Sequence, residues 1–317
     1  MSRERTSIIV VAISALVLLT AACGGGSSKN DQGGNGLSGT IRVDGSSTVG
    51  PLTEAAAEFF QQENAGVQVT VGISGTGGGF EKFCNGETDI SDASRPIEDD
   101  EKQACVSHGI NFAEAQVAND GLSVVVNPEN TWATCLTVAQ LNSVWEQGSK
   151  IDNWNQIDPS FPNEPLELFG AGTDSGTFDY FTSAINGEEG NSRTDYQATE
   201  DDNVTVQGVA GTKGGMGYFG LSYYEQNPDK LKLLQIDGGN GCVTPSEETV
   251  QSGEYTPLSR PLLIYVKDAS LKRPVVDAFI KFYIDNAERI ANQAQFVPLT
   301  AEQAAASRKA VDQLVGG

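Results

Sequence analysis

At 317 residues with 38% apolar side chains, the chain is long enough for about two globular domains with ordinary cores. Its formal net charge of -22 excludes nucleic acid as a partner, because gripping a phosphate backbone needs clustered Lys and Arg. The same charge means that any anion site must work through local hydrogen-bond donors, since the overall field repels an anion.

In chain order, Arg3 and Arg5 precede an apolar run from Ile8 to Leu19, and Ala21-Ala22-Cys23 then supplies small residues before a cysteine. Residues 1–22 therefore read as the signal peptide of a bacterial lipoprotein, cleaved before Cys23, whose thiol would carry the lipid. The apolar run is too short to span a bilayer, and Thr20 stands where such signals usually carry Leu. Residues 23–38 are mostly Gly, Ser, Asn and Asp, a flexible tether between the anchor and the folded part. The expected location is extracytoplasmic, held to the cell membrane by Cys23.

From Gly39 onward short strand-like runs alternate with helical ones: Thr40 to Val43, a helix near Leu52 to Gln62, Val67 to Ile73, a helix near Gly79 to Asn85. This is the rhythm of an α/β protein. Leu52, Ala55, Ala56, Phe59 and Phe60 form the inward face of the first helix, with Glu54 and Glu58 opposite. Gly121 to Asn127 and Pro261 to Lys267 are the most strand-like apolar runs, and they bracket a middle section with its own strands, helices and cysteines. A chain that leaves one lobe, builds a second and returns would give lobe I from 39–120 and 260–317 and lobe II from 121–259. Closing helices over about Arg273 to Asn292 and Ala301 to Val315 would belong to lobe I.

Beyond Cys23 there are four cysteines, an even number in an exported chain, so disulfides are expected. Of three pairings, Cys84–Cys105 with Cys135–Cys242 keeps each bridge inside one lobe. A metal site is not expected, since there is no C-x-x-C and His108 is the single histidine. The acidic runs Glu98 to Glu101 and Glu200 to Asp202 read as solvated loops. Tyr218, Phe219, Tyr223 and Tyr224 read as core and lobe–lobe packing, and Trp132, Trp145 and Trp154 as packing.

Three segments place Ser or Thr with Gly just ahead of a helical pattern: Asp44 to Pro51 (DGSSTVGP), Ser74 to Phe80 (SGTGGGF) and Gly172 to Phe178 (GTDSGTF). A helix start offers unpaired N–H groups and partial positive charge, glycine admits close approach to the backbone, and hydroxyls add donors. Pro51 suits a first helical turn, and Gly187 suits the end of the helix that begins near Phe178. One such segment alone is more often a simple N-cap. Three converging would hold a small oxyanion without net positive charge. Neither a P-loop nor a Rossmann fingerprint occurs, since Lys213 is followed by Gly214 and Phe80 stands where a third glycine would be needed.

At these residues the chain resembles the phosphate-binding proteins of Pst-type ABC transporters, the PstS family. DGSSTVGP, GISGTGGGFEKFCNGETDISDASRPI, LTVAQLNSVW, GTDSGTFDYF, GTKGGMGYFGLSYY and LSRPLLIYV carry the likeness over nearly the whole mature chain. The resemblance implies a type II periplasmic-binding-protein fold, two α/β lobes joined by two crossover strands with the ligand cleft between them. It also implies that inorganic phosphate is held by Ser46, Ser47 and Thr48, by Ser74, Gly75, Thr76 and Gly77, and by Ser175, Gly176 and Thr177, with one arginine and one carboxylate. The better-known branch carries its arginine where this chain has Ala171 and Gly172, and its carboxylate near Ala93-Ser94-Arg95-Pro96. Arg95 is therefore the expected guanidinium, with Ser94 adding a hydroxyl, because a planar fork matches two phosphate oxygens. A salt bridge from Arg95 to a nearby acid is the bland reading. Asp174 is the candidate carboxylate, with Asp44 and Asp92 as alternatives; it would accept from protonated phosphate and repel sulfate.

The implied partners are the permease subunits of the importer with their cytoplasmic ATPase, and the chain is expected to be a monomer without a cofactor. Another oxyanion, such as sulfate or molybdate, is the nearest alternative ligand. Catalysis is not expected, since G-x-S-x-G and metal-ligand clusters are missing.

Overall fold

The structure is a computed structural model that describes residues 36–315 apart from Asp174. Twelve strands and thirteen helices alternate along it. The first part holds β1 (Ser38–Gly45), α1 (Gly50–Glu63), β2 (Gly66–Ile73), α2 (Gly75–Cys84), β3 (Ile90–Ala93), α3 (Asp99–Ser107) and the long β4 (Phe112–Val126). The middle holds β5 (Cys135–Thr137), α4 (Val138–Trp145), α5 (Trp154–Ile157), β6 (Glu167–Ala171), α6 (Gly176–Asn186), β7 (Gln197–Thr199), α7 (Asp202–Gly211) and β8 (Gly215–Gly220). It continues with α8 (Leu221–Glu225), β9 (Lys232–Leu233), β10 (Gln235–Asp237), β11 (Cys242–Val243) and α9 (Glu247–Gln251). The chain returns through β12 (Ser259–Lys267), followed by α10 (Asp268–Leu271), α11 (Pro274–Asp285), α12 (Ala287–Gln293) and α13 (Ala301–Val315). No described helix is long and apolar enough to cross a membrane.

Two crossover strands join the two α/β lobes. The first half of β4 runs antiparallel to β12, from Phe112 opposite Lys267 to Gly121 opposite Ser259. Its second half, Leu122 to Val126, pairs instead with β8. The strand order is β2-β1-β3-β12-β4-β8-β6-β7, with β9 also on β4 and a small separate sheet β11-β10-β5. Each part of the sheet is covered on both faces. Leu262, Ile264 and Val266 of β12 face a core with Ile41, Phe60, Val276 and Phe279, while the alternate Leu263 and Tyr265 face Phe80, Phe83, Cys84 and Cys105. In the middle part, Leu122 and Val124 join Trp145, Trp154, Phe181 and Tyr218 on one face, and Val125 joins Phe169, Val206 and Phe219 on the other.

The structure departs from sequence expectation at several elements. α2 begins at Gly75 rather than Gly79, so the glycine run is itself helical. The expected helix from Arg273 to Asn292 is two helices meeting at Asn286. On α1, Phe59 is only partly buried beside the fully packed Leu52 and Phe60. As expected of core residues, Tyr218 and Phe219 are buried with Tyr223 and Tyr224 packed against the same clusters, Tyr218 stacked on Phe181 at 3.7 Å. The acidic runs are not merely solvated: Glu98 and Glu101 form the capping box of α3, and Asp201 caps α7 by accepting from the Asn203 N–H at 2.9 Å.

Candidate ligand cleft

All three Ser/Thr/Gly segments lie at helix starts. β1 ends at Gly45, whose φ of +149° and contact with Asp92 leave no room for a side chain, since a Cβ would sit 2.1 Å from the Asp92 carbonyl oxygen. The Ser46 N–H donates to that carbonyl at 2.9 Å, and the Ser46 hydroxyl accepts from the Thr48 N–H at 3.2 Å. The loop is thus shaped before α1 begins. At α2, the Ser74 hydroxyl donates to Asp44, whose second oxygen pairs with Lys82 Nζ at 2.7 Å. Thr76 and Ser94 hydroxyls meet at 3.1 Å, and the Ser94 N–H donates to Thr76 Oγ1 at 3.2 Å. At α6, Ser175 is the N-cap, its hydroxyl accepting from the Thr177 N–H at 3.1 Å.

The first and third loops touch. Thr48 Oγ1 lies 3.5 Å from the Gly176 carbonyl oxygen, and the Ser47 hydroxyl donates to Asp179 Oδ2 at 3.4 Å. Beside that contact opens a cleft of about 420 Å³ lined by Thr76, Ser94 and Arg95 on one side, Asp179, Tyr180 and Glu189 on the other, and Arg260 between. A larger hollow near Val106 and Leu271 has no such converging loops.

Arg95 reaches the cleft wall with its fork held end-on by Glu101, both N···O distances being 2.8 Å, and its Nε 3.4 Å from Glu98. The hydrogen bonds that Arg95 donates to Glu101 raise the guanidinium pKa. Of the candidate carboxylates, Asp174 lies outside the described residues. Asp44 is taken up by Ser74 and Lys82. Asp92 is fully buried, accepting from Thr53 at 2.9 Å, and burial pushes its carboxyl up to about 8. The putting of Cys84 to Cys105 and Cys135 to Cys242 as bridges is seen directly, with Cα–Cα separations of 4.3 and 6.0 Å. Cys23 lies outside the described residues.

Sequence reasoning missed Arg260, Tyr180 and Asp179. Arg260 Nε pairs with Asp120 at 3.1 Å, its Nη2 donates to Thr48 Oγ1 at 2.9 Å, and its guanidinium lies 3.6 Å over the Tyr180 ring. Burial raises the Asp179 carboxyl, and nearby Glu189 adds to this against Ser47 and Arg260. The available signal was that Arg260 and Tyr180 both fall inside motifs already singled out, LSRPLLIYV and GTDSGTFDYF. Chemically, the cleft combines hydroxyl donors, helix starts and two guanidinium groups, which suits a small tetrahedral oxyanion.

Residues 30–287 match a family described as a PBP superfamily domain. Protein SphX of Synechococcus elongatus is 49% identical over 265 residues, covering 83% of this chain and 78% of its own. The phosphate-binding protein PstS of Staphylococcus saprophyticus is 39% identical over 290 residues, covering 90% of this chain and 89% of its own. A solved structure described as a possible phosphate binding protein from Planctomyces limnophilus superposes with a TM-score of 0.85 at 47% identity, covering 88% of this chain and 99% of that one.

Proposed function

We propose, from the premise that this chain belongs to the PBP superfamily and within it to the PstS and SphX proteins, that it captures inorganic phosphate between its lobes and delivers it to an ABC importer. The observation that carries this reading is the meeting of helix-start loops from both lobes beside a cleft flanked by Arg95 and Arg260. Hydroxyls and N–H groups of Ser46, Ser47, Thr48, Ser74, Gly75, Thr76, Gly77, Ser175, Gly176 and Thr177 donate to the ion, and Ser94 adds a hydroxyl. Arg95 turns its fork from Glu101 to the ligand. Asp174 accepts the proton that phosphate keeps near neutral pH and sulfate lacks. The chain binds and releases without chemistry on its ligand. It works outside the cell membrane as a monomer anchored through Cys23, with residues 23–38 as tether, lobe I formed by 39–120 and 260–317 and lobe II by 121–259. Permease subunits dock on it and a cytoplasmic ATPase drives release into the channel.

Calorimetric titration with phosphate, arsenate, sulfate and molybdate tests the reading. We expect one tight site for phosphate and arsenate and far weaker binding of the other two, with Asp174→Asn narrowing that gap. A preference for sulfate or molybdate, or no binding of phosphate, would overturn it.

A further inference from the structure

Arg260, a residue of the cleft, touches the first and third loops and ties the two crossover strands together. It is the second residue of β12 and stands opposite Asp120 of β4, at the point where the chain passes between lobes. Its Nε edge binds Asp120, whose side chain is 4% exposed. Its Nη2 donates to Thr48 Oγ1 at 2.9 Å and lies 3.5 Å from the Gly176 carbonyl oxygen, one contact in each loop. Its flat face rests on Tyr180, which follows Gly176 by one turn of α6 and whose hydroxyl donates to the Pro257 carbonyl at 2.7 Å. Burial pushes the Asp120 carboxyl up, and Arg260 opposes that by charge and by hydrogen bond.

Resting on the phosphate reading, we propose that Arg260 is a positioning residue that latches the Thr48 and Gly176 loops together across the cleft and ties them to the hinge, so that it sets how slowly the ion leaves. Parting the lobes around the adjoining cleft breaks the Thr48–Gly176 contact, and Arg260 bonds to both sides of it. Only a guanidinium serves here. Lysine could keep the charge beside Asp120, but its point charge on a flexible stem cannot also reach Thr48 and lie flat on Tyr180.

The test compares the full wild-type chain with Arg260→Lys and Tyr180→Leu, using inorganic phosphate, stopped-flow binding and thermal unfolding. Arg260→Lys is expected to speed phosphate dissociation by about ten- to a hundredfold, with association changed by less than about threefold and the melting point little altered. Tyr180→Leu, which leaves the Asp120 charge paired, should shift dissociation in the same direction and decides the matter if the lysine variant does not fold. Unchanged dissociation, or a loss carried wholly by association and relieved by salt, overturns the latch while leaving phosphate binding intact. A wild-type chain that binds no phosphate overturns the functional reading itself, and this proposal with it.

Discussion

A Cβ added to Gly176 would lie 2.4 Å from Thr48 Oγ1 and 3.0 Å from the Thr48 nitrogen, so the two loops meet at a spacing that only glycine permits. Gly176→Ala must push the lobes apart there. Overpacking of this kind costs about 1–3 kcal/mol, and here it falls on the contact between the two loops rather than on either core. Phosphate affinity should drop about tenfold while the melting point moves little, and titration beside calorimetric melting reads both. Arg95→Ala should also weaken binding by more than about tenfold, since a charge-assisted fork is lost. An unchanged affinity would leave Arg95 as the partner of Glu101 and nothing more. That the three Ser/Thr/Gly segments lie at helix starts was legible because such signals are local to a few residues, although only Ser175 caps its helix through its side chain. Arg260 was not, because its meaning depends on partners 140 and 212 positions away in the chain.

Helix α2 shows why a propensity argument fails at this site. Gly75 to Gly79 is a poor helix former, and the pattern points to a later start. A Cβ at Gly79 would lie 2.5 Å from the Gly45 Cα, so the close approach of α2 to the end of β1 needs glycine and overrides propensity. The long β4 was only half legible, since Glu114, Gln116, Asn119 and Asp120 interrupt its apolar pattern where it pairs with β12 and forms the hinge. The two disulfides differ in the same local-against-global way. Cys135–Cys242 closes a separation of 107 residues and Cys84–Cys105 one of 21, so removing them should cost about 5 and about 3 kcal/mol respectively by loop entropy. Their effect on binding should be reversed. Cys84–Cys105 ties α2, which carries Thr76, to α3, which carries the Glu101 that holds Arg95. Replacing that pair by serine should weaken phosphate binding several-fold, whereas the Cys135–Cys242 pair, in the small outlying sheet, should cost stability and leave affinity near wild type.

At the scale of the molecule, the two-lobe architecture could be anticipated because two apolar strands bracket a long section with its own periodic elements. The number of links between the lobes could not. Val297, past the second crossover, pairs with Asn119 at 2.8 and 3.0 Å and packs into the middle lobe, and Gln303 reaches the Gln251 carbonyl at 3.1 Å. The strong acidity adds a pH dependence that can be worked out group by group. Asp92 is pushed up to about 8 by burial, with Asp44 and Glu54 adding to this and Thr53 opposing it. Asp202 is raised to about 6, again by burial first and then by Asp201 and Glu200. An unfolded Asp titrates near 3.9, so between about pH 4 and 8 the folded chain holds protons that the unfolded chain has released. Stability conferred by these groups is complete below that window and is lost as pH rises through it. Asp89 acts in the opposite sense. Although burial raises it, hydrogen bonds from the Arg42 N–H, Ser270 and Arg273 bring its carboxyl below the ordinary value. Its contribution is present above about pH 4 and is lost on further acidification. The melting temperature should therefore peak near about pH 4 and fall both on further acidification and toward pH 8, the alkaline loss amounting to roughly several kcal/mol. Asp92→Asn keeps the oxygen that Thr53 donates to and removes the titration, so it should flatten the alkaline limb and leave the acid limb in place. Melting curves of both proteins across that range, in one ionic strength, carry the comparison. An equal alkaline decline in the variant would exclude Asp92 as its source.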